Sequence, residues 1–180
     1  RDRIVVRGNA QDATGDTMND GAIIIHGNAG DATGYAMRGG KIYIDGSAGY
    51  RTGIHMKQYR EKRPVIVIGG TAGSFLGEYQ AGGRIIVLGL DRDGGVPVGN
   101  FCGTGMHGGR IYLRTAHLPK DLPEQVVAHK ATEEDMQIAA PLIQNYAEKF
   151  GADAESLLRD EYYVLRPNTQ NPYKQLYVTN

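Results

Sequence analysis

The spacing of glycines constrains this chain more than any other feature. Gly8, Gly27, Gly46, Gly70 and Gly89 each open a unit, at intervals of 19, 19, 24 and 19 residues. Four of the units share a Gly-x-Ala element, which puts Ala10, Ala29, Ala48 and Ala72 in one column. A second glycine follows at Gly15, Gly34, Gly53 and Gly77, and most units then reach a methionine (Met18, Met37, Met56, Met106). Glycine pairs at 39–40, 82–83 and 108–109 precede β-branched runs such as Ile42-Tyr43-Ile44 and Ile111-Tyr112-Leu113. The chain has 26 glycines in 180 residues, and because they are periodic they mark repeats rather than disorder.

A unit of this length is too short for a helical hairpin repeat and carries one strand-forming run, which suits one coil of a β-solenoid. A leucine-rich repeat needs spaced leucines around an asparagine, and leucine is scarce before residue 110, while the calcium-binding nonapeptide repeat has half this period. The expected class is therefore all-β, a parallel β-helix built as a single-stranded solenoid. Alternation along a strand places Ile42, Ile44, Ile111 and Leu113 inward, with Tyr43 and Tyr112 outward. The alanine column lets the wall turn tightly. The glycine columns mark corners where φ is positive or where neighbouring coils approach closely. The methionines are expected to stack as an adaptable inner ladder.

Twenty basic and twenty acidic side chains cancel, so no global field draws this chain to nucleic acid or to an anionic membrane. No apolar run approaches the ~20 residues of a membrane span. No signal peptide is evident, and the chain opens at Arg1 in what reads as mid-coil. The first strand, around Ile4-Val5-Val6, is then an open edge where self-association or partner docking is expected. The lone Cys102 excludes an intrachain disulfide and fits a reducing compartment, with the cytoplasm as default.

Insertions in a solenoid become loops on one face. The longer third unit holds Met56 to Pro64, with Lys57, Arg60, Lys62 and Arg63 against Glu61. This run reads either as a docking loop for an acidic surface or as a solvated loop. Asp91 and Asp93 beside Gly94 resemble the start of a calcium loop, but the later acidic ligands are absent. His55 and His107 have no ligand-spaced partner and read as solvent-facing turn residues. Asp12 and Asp31 share a column, and two like charges so close are expected to face water. The glycine turns lead into no helix, so they lack the dipole that phosphate sites use. No catalytic, cofactor-binding or metal-binding residue emerges.

After Arg114 the repeat stops. Thr132-Glu133-Glu134-Asp135 opens a helix, and Met136, Ala139, Ala140, Ile143, Tyr146, Ala147 and Phe150 draw one apolar stripe along it. Pro141 interrupts that helix, Gly151 ends it, and a second helix covers 154–159 before an extended tail. The stripe is expected to cover the open end of the solenoid as a helical cap. The division expected is 1–115 for the repeats and 116–180 for linker, cap and tail.

The repeated Gly-x-Ala-Gly-x-x-x-Gly-x-x-Met-x-Gly-Gly-x-Ile pattern resembles the glycine-repeat (GXGXG) domain at the C-terminal end of the glutamate synthase large subunit. A related domain forms one subunit of formylmethanofuran dehydrogenase. Residues 99–112 resemble the last coil of the glutamate synthase domain. The tail 166–177 resembles its separately encoded archaeal-type version. The resemblance implies a right-handed β-helix without catalytic side chains. It further implies a scaffold that joins an amidotransferase to an FMN and iron–sulfur synthase, so that ammonia from glutamine reaches 2-oxoglutarate. FMN and iron–sulfur would then sit on partner chains, with none bound here. The other readings are a formylmethanofuran-dehydrogenase-type subunit or an independent ligand-binding β-helix protein. The latter would need a face of aromatics and carboxylates, for which Tyr43 and Tyr112 are too few.

Overall fold

The computed structural model describes residues 2–92 and 95–168. Asp93, Gly94 and most of the tail used in the resemblance, from Thr169 onward, lie outside the described residues. Each glycine unit sends one β-branched run into a common sheet. The strands are β1 (Arg3–Val6), β2 (Ala22–Ile25), β3 (Lys41–Ile44), β4 (Val65–Ile68), β5 (Ala81–Val87) and β6 (Gly108–Arg114). They pair in parallel and in repeat register, so that Ile4, Ile23, Ile42, Ile66, Ile85 and Ile111 stand side by side. The glycine-rich turns stack as the strands do. Ala10, Ala29, Ala48 and Ala72 each donate their backbone N–H to the following unit, at 2.9–3.0 Å.

The expectation of an all-β, right-handed parallel β-helix with a helical end cap is corrected here. Among the described residues the sheet is open and mixed, with eight strands; β1 to β6 follow chain order and two later strands continue the sheet beyond β6. Strand β8 (Tyr162–Pro167) runs antiparallel to β6, and β7 (Val126–Lys130) runs antiparallel to β8. Among the described residues two helices belong to the fold, α1 (Glu133–Phe150) and α2 (Ala154–Arg159). Strands rather than helices cover the edge of β6. Its N–H and C=O groups need partners, and β8 provides them.

The helices pack on the face of the sheet. Ile24, Tyr43, Val65, Val67, Ile86, Leu88 and Tyr112 form a core there with Ala139, Leu142, Ile143 and Tyr146 of α1. Tyr43 and Tyr112, expected to point at solvent, are each 1% exposed. All four residues of β4 are buried, as in a sheet covered on both faces. The opposite face of the sheet packs Ile42, Ile44, Ile66 and Ile85 against Met37, Met56, Leu76 and Met106 from the turns. The molecule thus has three layers: helices, sheet and stacked turns. The methionine column is interrupted by the fully buried Gln80, whose Nε2 donates to the carbonyls of Gly82 and Gly83.

Helix α1 begins with a capping box between Thr132 and Asp135 and ends at Gly151 in the left-handed conformation. Pro141 lies inside it without ending it. The helix is anchored by Tyr146, whose hydroxyl donates to the Asp45 carbonyl at 3.3 Å. Asn145 adds a bond to the Tyr43 hydroxyl at 3.4 Å, and the Lys149 ammonium sits 4.5 Å from the centre of the Tyr43 ring.

Candidate functional site

Each turn of the repeat places three residues in left-handed backbone. One column is Gly15, Gly34, Gly53 and Gly77, with φ of 65–76°. A Cβ at Gly53 would lie 2.5 Å from Ile85 Cδ1, so this column needs glycine for space as well as for φ. The two flanking columns are non-glycine except at Gly105. One runs Ala13, Ala32, Arg51, Phe75, Phe101, and the other runs Thr17, Ala36, His55, Tyr79. Left-handed φ is uncommon for a bulky side chain and costs energy at each position.

These side chains meet on the surface of the turn layer, on the far side of the sheet from α1. His55 stacks on Tyr79 with ring centres 5.1 Å apart and meets Tyr35 edge-on at 5.9 Å. Phe75 and Phe101 lie 5.4 Å apart, and the Arg51 guanidinium sits 4.7 Å above the Phe75 ring. Arg51 also pairs with Glu78, whose side chain is nearly buried. Tyr35, Tyr50, Tyr79 and Phe101 are all exposed. The strip had a readable signal: aligning the units puts Ala, Arg, Phe and Phe at 32, 51, 75 and 101. Attention to the glycines alone passed over it.

The second feature lies at the other margin of the sheet. One cross-strand row pairs Arg3, Ala22, Lys41, Val65, Arg84 and Arg110, so four of its six residues are cations. The charged loop of the third unit folds toward this margin. A pair of backbone bonds between Tyr59 and Lys62, at 3.0 and 3.2 Å, closes its tip. Lys57, Arg60, Lys62 and Arg63 are all exposed, and the Arg60 guanidinium covers the Tyr59 ring at 5.3 Å. Arg63 lines a cleft of about 400 Å³ with Arg84, Arg110, Tyr112, Glu134 and Asp135. Lys62 and Arg63 together line a second cleft of about 330 Å³ with Arg3 and Lys41. Lys57 and Arg60 line neither.

Burial raises the pKa of the Tyr112 hydroxyl in the first cleft, against the pull of the adjacent Arg84 guanidinium. The Cys102 thiol is buried, and burial with the nearby Asp121 carboxylate pushes it up to about 12. It is protonated at neutral pH and is no nucleophile in the folded chain. Asp12 and Asp31 do face solvent, and each does structural work: Asp12 accepts the Asp31 N–H, and Asp31 accepts the Tyr50 N–H, both at 2.7 Å. Asp91 accepts from the Ser47 hydroxyl at 2.7 Å. Among the described residues no group of three or more His, Cys, Asp or Glu side chains is gathered for a metal. Nor is any of their helices long and apolar enough to cross a membrane.

The family model described as GXGXG motif matches residues 3–169. The chain belongs to the GXGXG motif family. A relative in the same range is an uncharacterized protein of Methanocaldococcus jannaschii, 48% identical over 181 residues, which cover 97% of this chain and 69% of that protein. The GXGXG domain is the one found in glutamate synthase, which relates this chain to that enzyme in broad terms.

Proposed function

We propose that this GXGXG chain is a non-catalytic scaffold of a glutamate-synthase-type complex. It holds an amidotransferase and an FMN and iron–sulfur synthase together, so that ammonia released from glutamine reaches 2-oxoglutarate. Membership of the family supplies the enzyme context. The observation that carries the scaffold role is the exposed aromatic strip. The same backbone conformation accepts alanine at 13, 32 and 36, so the fold does not require Phe75, Tyr79 and Phe101 where they stand. Strained positions that carry large rings and an arginine, exposed except for the half-buried Phe75, match the make-up of protein-interface hot spots. The protonated, buried Cys102 agrees with a role that uses no nucleophile of its own. FMN and iron–sulfur clusters belong to the partner chains in this reading, and the compartment is the cytoplasm.

Reconstitution tests the reading. Mixed with amidotransferase and synthase chains, the wild-type chain should couple glutamine consumption to glutamate formation. A Phe75→Ala, Tyr79→Ala, Phe101→Ala variant should keep its fold and lose partner affinity by about 2 kcal/mol or more. Full coupling without the chain, or glutamine turnover by the chain alone, would overturn the proposal.

A further inference from the structure

We propose that the cleft between the 57–63 loop and the start of α1 binds a small acidic α-amino acid. This inference is independent of the scaffold reading and concerns the isolated chain. Three guanidiniums line the cleft, from Arg63, Arg84 and Arg110. Among the described residues no ion pair neutralises any of them. One is held in place by a neutral oxygen instead. Arg110 Nη1 donates to the Gly109 carbonyl at 2.7 Å, while Arg84 lies beside the Tyr112 hydroxyl in the cleft wall. A guanidinium has five N–H donors in a fixed fork, so one bond orients it and leaves the rest for a carboxylate. Tyr112 is 1% exposed, so the wall of the cleft beside Arg84 belongs to the core.

The opposing wall selects the ligand class. Glu134 and Asp135 line the same cleft. Asp135 is committed to the helix cap, accepting the Thr132 N–H at 2.9 Å, and lies 3.8 Å from His129 Nδ1. Glu134 is exposed and has no such commitment, so it is the carboxylate placed to meet an ammonium. Three cations against two anions leave one positive charge. A simple dicarboxylate or a phosphate would meet the arginines but would face Glu134 with like charge. An acidic α-amino acid has two carboxylates and one ammonium, and it balances the cleft in sign and number. The volume of about 400 Å³ falls within the range of small-ligand sites, and Ile138 lies beside the path of the ligand's methylenes.

Calorimetric titration of the full chain with L-glutamate, L-aspartate, glutarate and inorganic phosphate tests this. L-Glutamate or L-aspartate should bind saturably, and glutarate and phosphate should bind more weakly. Arg84→Gln and Arg110→Gln should each weaken the amino acid by about tenfold, as expected for losing a charge-assisted bidentate contact. Glu134→Gln should weaken the amino acid but strengthen glutarate, and that opposite response separates the site from a generic anion patch. Glu134 lies on the exposed helix start, so this variant reports even if Arg84→Gln fails to fold. Glutarate or phosphate binding as tightly as the amino acids would overturn the proposal, as would no saturable heat up to millimolar ligand or a Glu134→Gln effect of one sign on all ligands.

Discussion

Single residues in this fold are tied to the repeat by space as much as by backbone conformation. Gly53 has φ 73°, and Ile85 occupies the room a side chain would need. Gly53→Val should therefore cost about 2 kcal/mol or more, read as a lower melting temperature, since it combines overpacking with a left-handed φ. Titration is the other property that belongs to single residues. Cys102 is raised from 9.0 to about 12, and Tyr43, Tyr112, Tyr146 and Tyr162 are raised above 10.0, all chiefly by burial. Above pH 9 the unfolded chain starts to release these protons while the folded chain retains them. Stability should then fall as pH rises from about 9. Lys149 acts in the opposite direction, because burial and then Arg3 and Lys41 lower it below 10.5, but it is one group against five. Denaturation midpoints measured across this range should decline, and Cys102→Ala should move the onset of the decline toward pH 10.

At the scale of elements, the junction of α1 with the sheet depends on one close approach. A Cβ at Gly69 would overlap both the Tyr146 hydroxyl and the Asp45 carbonyl, so the helix anchor can seat only where the strand ends in glycine. Gly69→Ala should displace α1 at a cost of about 1–3 kcal/mol. Hydrogen exchange should then show faster exchange in α1 while β2 and β3 stay protected. Unchanged protection of α1 would remove Tyr146 as its anchor. The turn layer behaves differently. Its side chains at 9, 12, 28, 31 and 47 each accept a backbone N–H from the next unit, at 2.7–2.9 Å. Backbone donors at successive turns are thereby satisfied without a regular strand.

At the scale of the molecule, the C-terminal segment is a structural part of the sheet. Strand β8 covers the edge of β6, β7 pairs in turn with β8, and α1 covers the outer face. Removing residues 120–180 should expose the β6 edge together with Tyr43, Val67, Ile86 and Tyr112. The truncated chain should aggregate, measurable by light scattering and size-exclusion chromatography. A soluble monomeric truncation would show that the repeats are sufficient alone. The two remaining surfaces are separated by the layers. The aromatic strip lies on the turn layer, and the arginine cleft lies at the sheet margin beside α1. Partner docking and amino-acid binding can therefore be tested by substitutions that do not overlap.

The repeat and its register were legible in the sequence, because a 19-residue period leaves each isoleucine opposite its counterpart and a slip would bury the wrong face. The bounds of α1 were legible too, since a capping box and a left-handed glycine act within one turn of chain. The covering of the outer face was only half legible. Ile24, Tyr43, Val67, Ile86 and Tyr112 are all apolar at alternate positions, a pattern that calls for a second layer. Nothing local says which segment supplies it. Contacts between residues about a hundred positions apart decided that, as in the bonds from Asn145 to Tyr43 and from Tyr146 to Asp45. The open mixed sheet was decided in the same way, because the antiparallel return of β8 depends on β6 offering an edge. The arginine cleft also needed the fold, which brings together Arg63 from a loop, Arg84 and Arg110 from neighbouring strands, and Glu134 from a helix. Periodicity encodes what neighbours in the repeat share, whereas burial of the leftover apolar face chooses everything else.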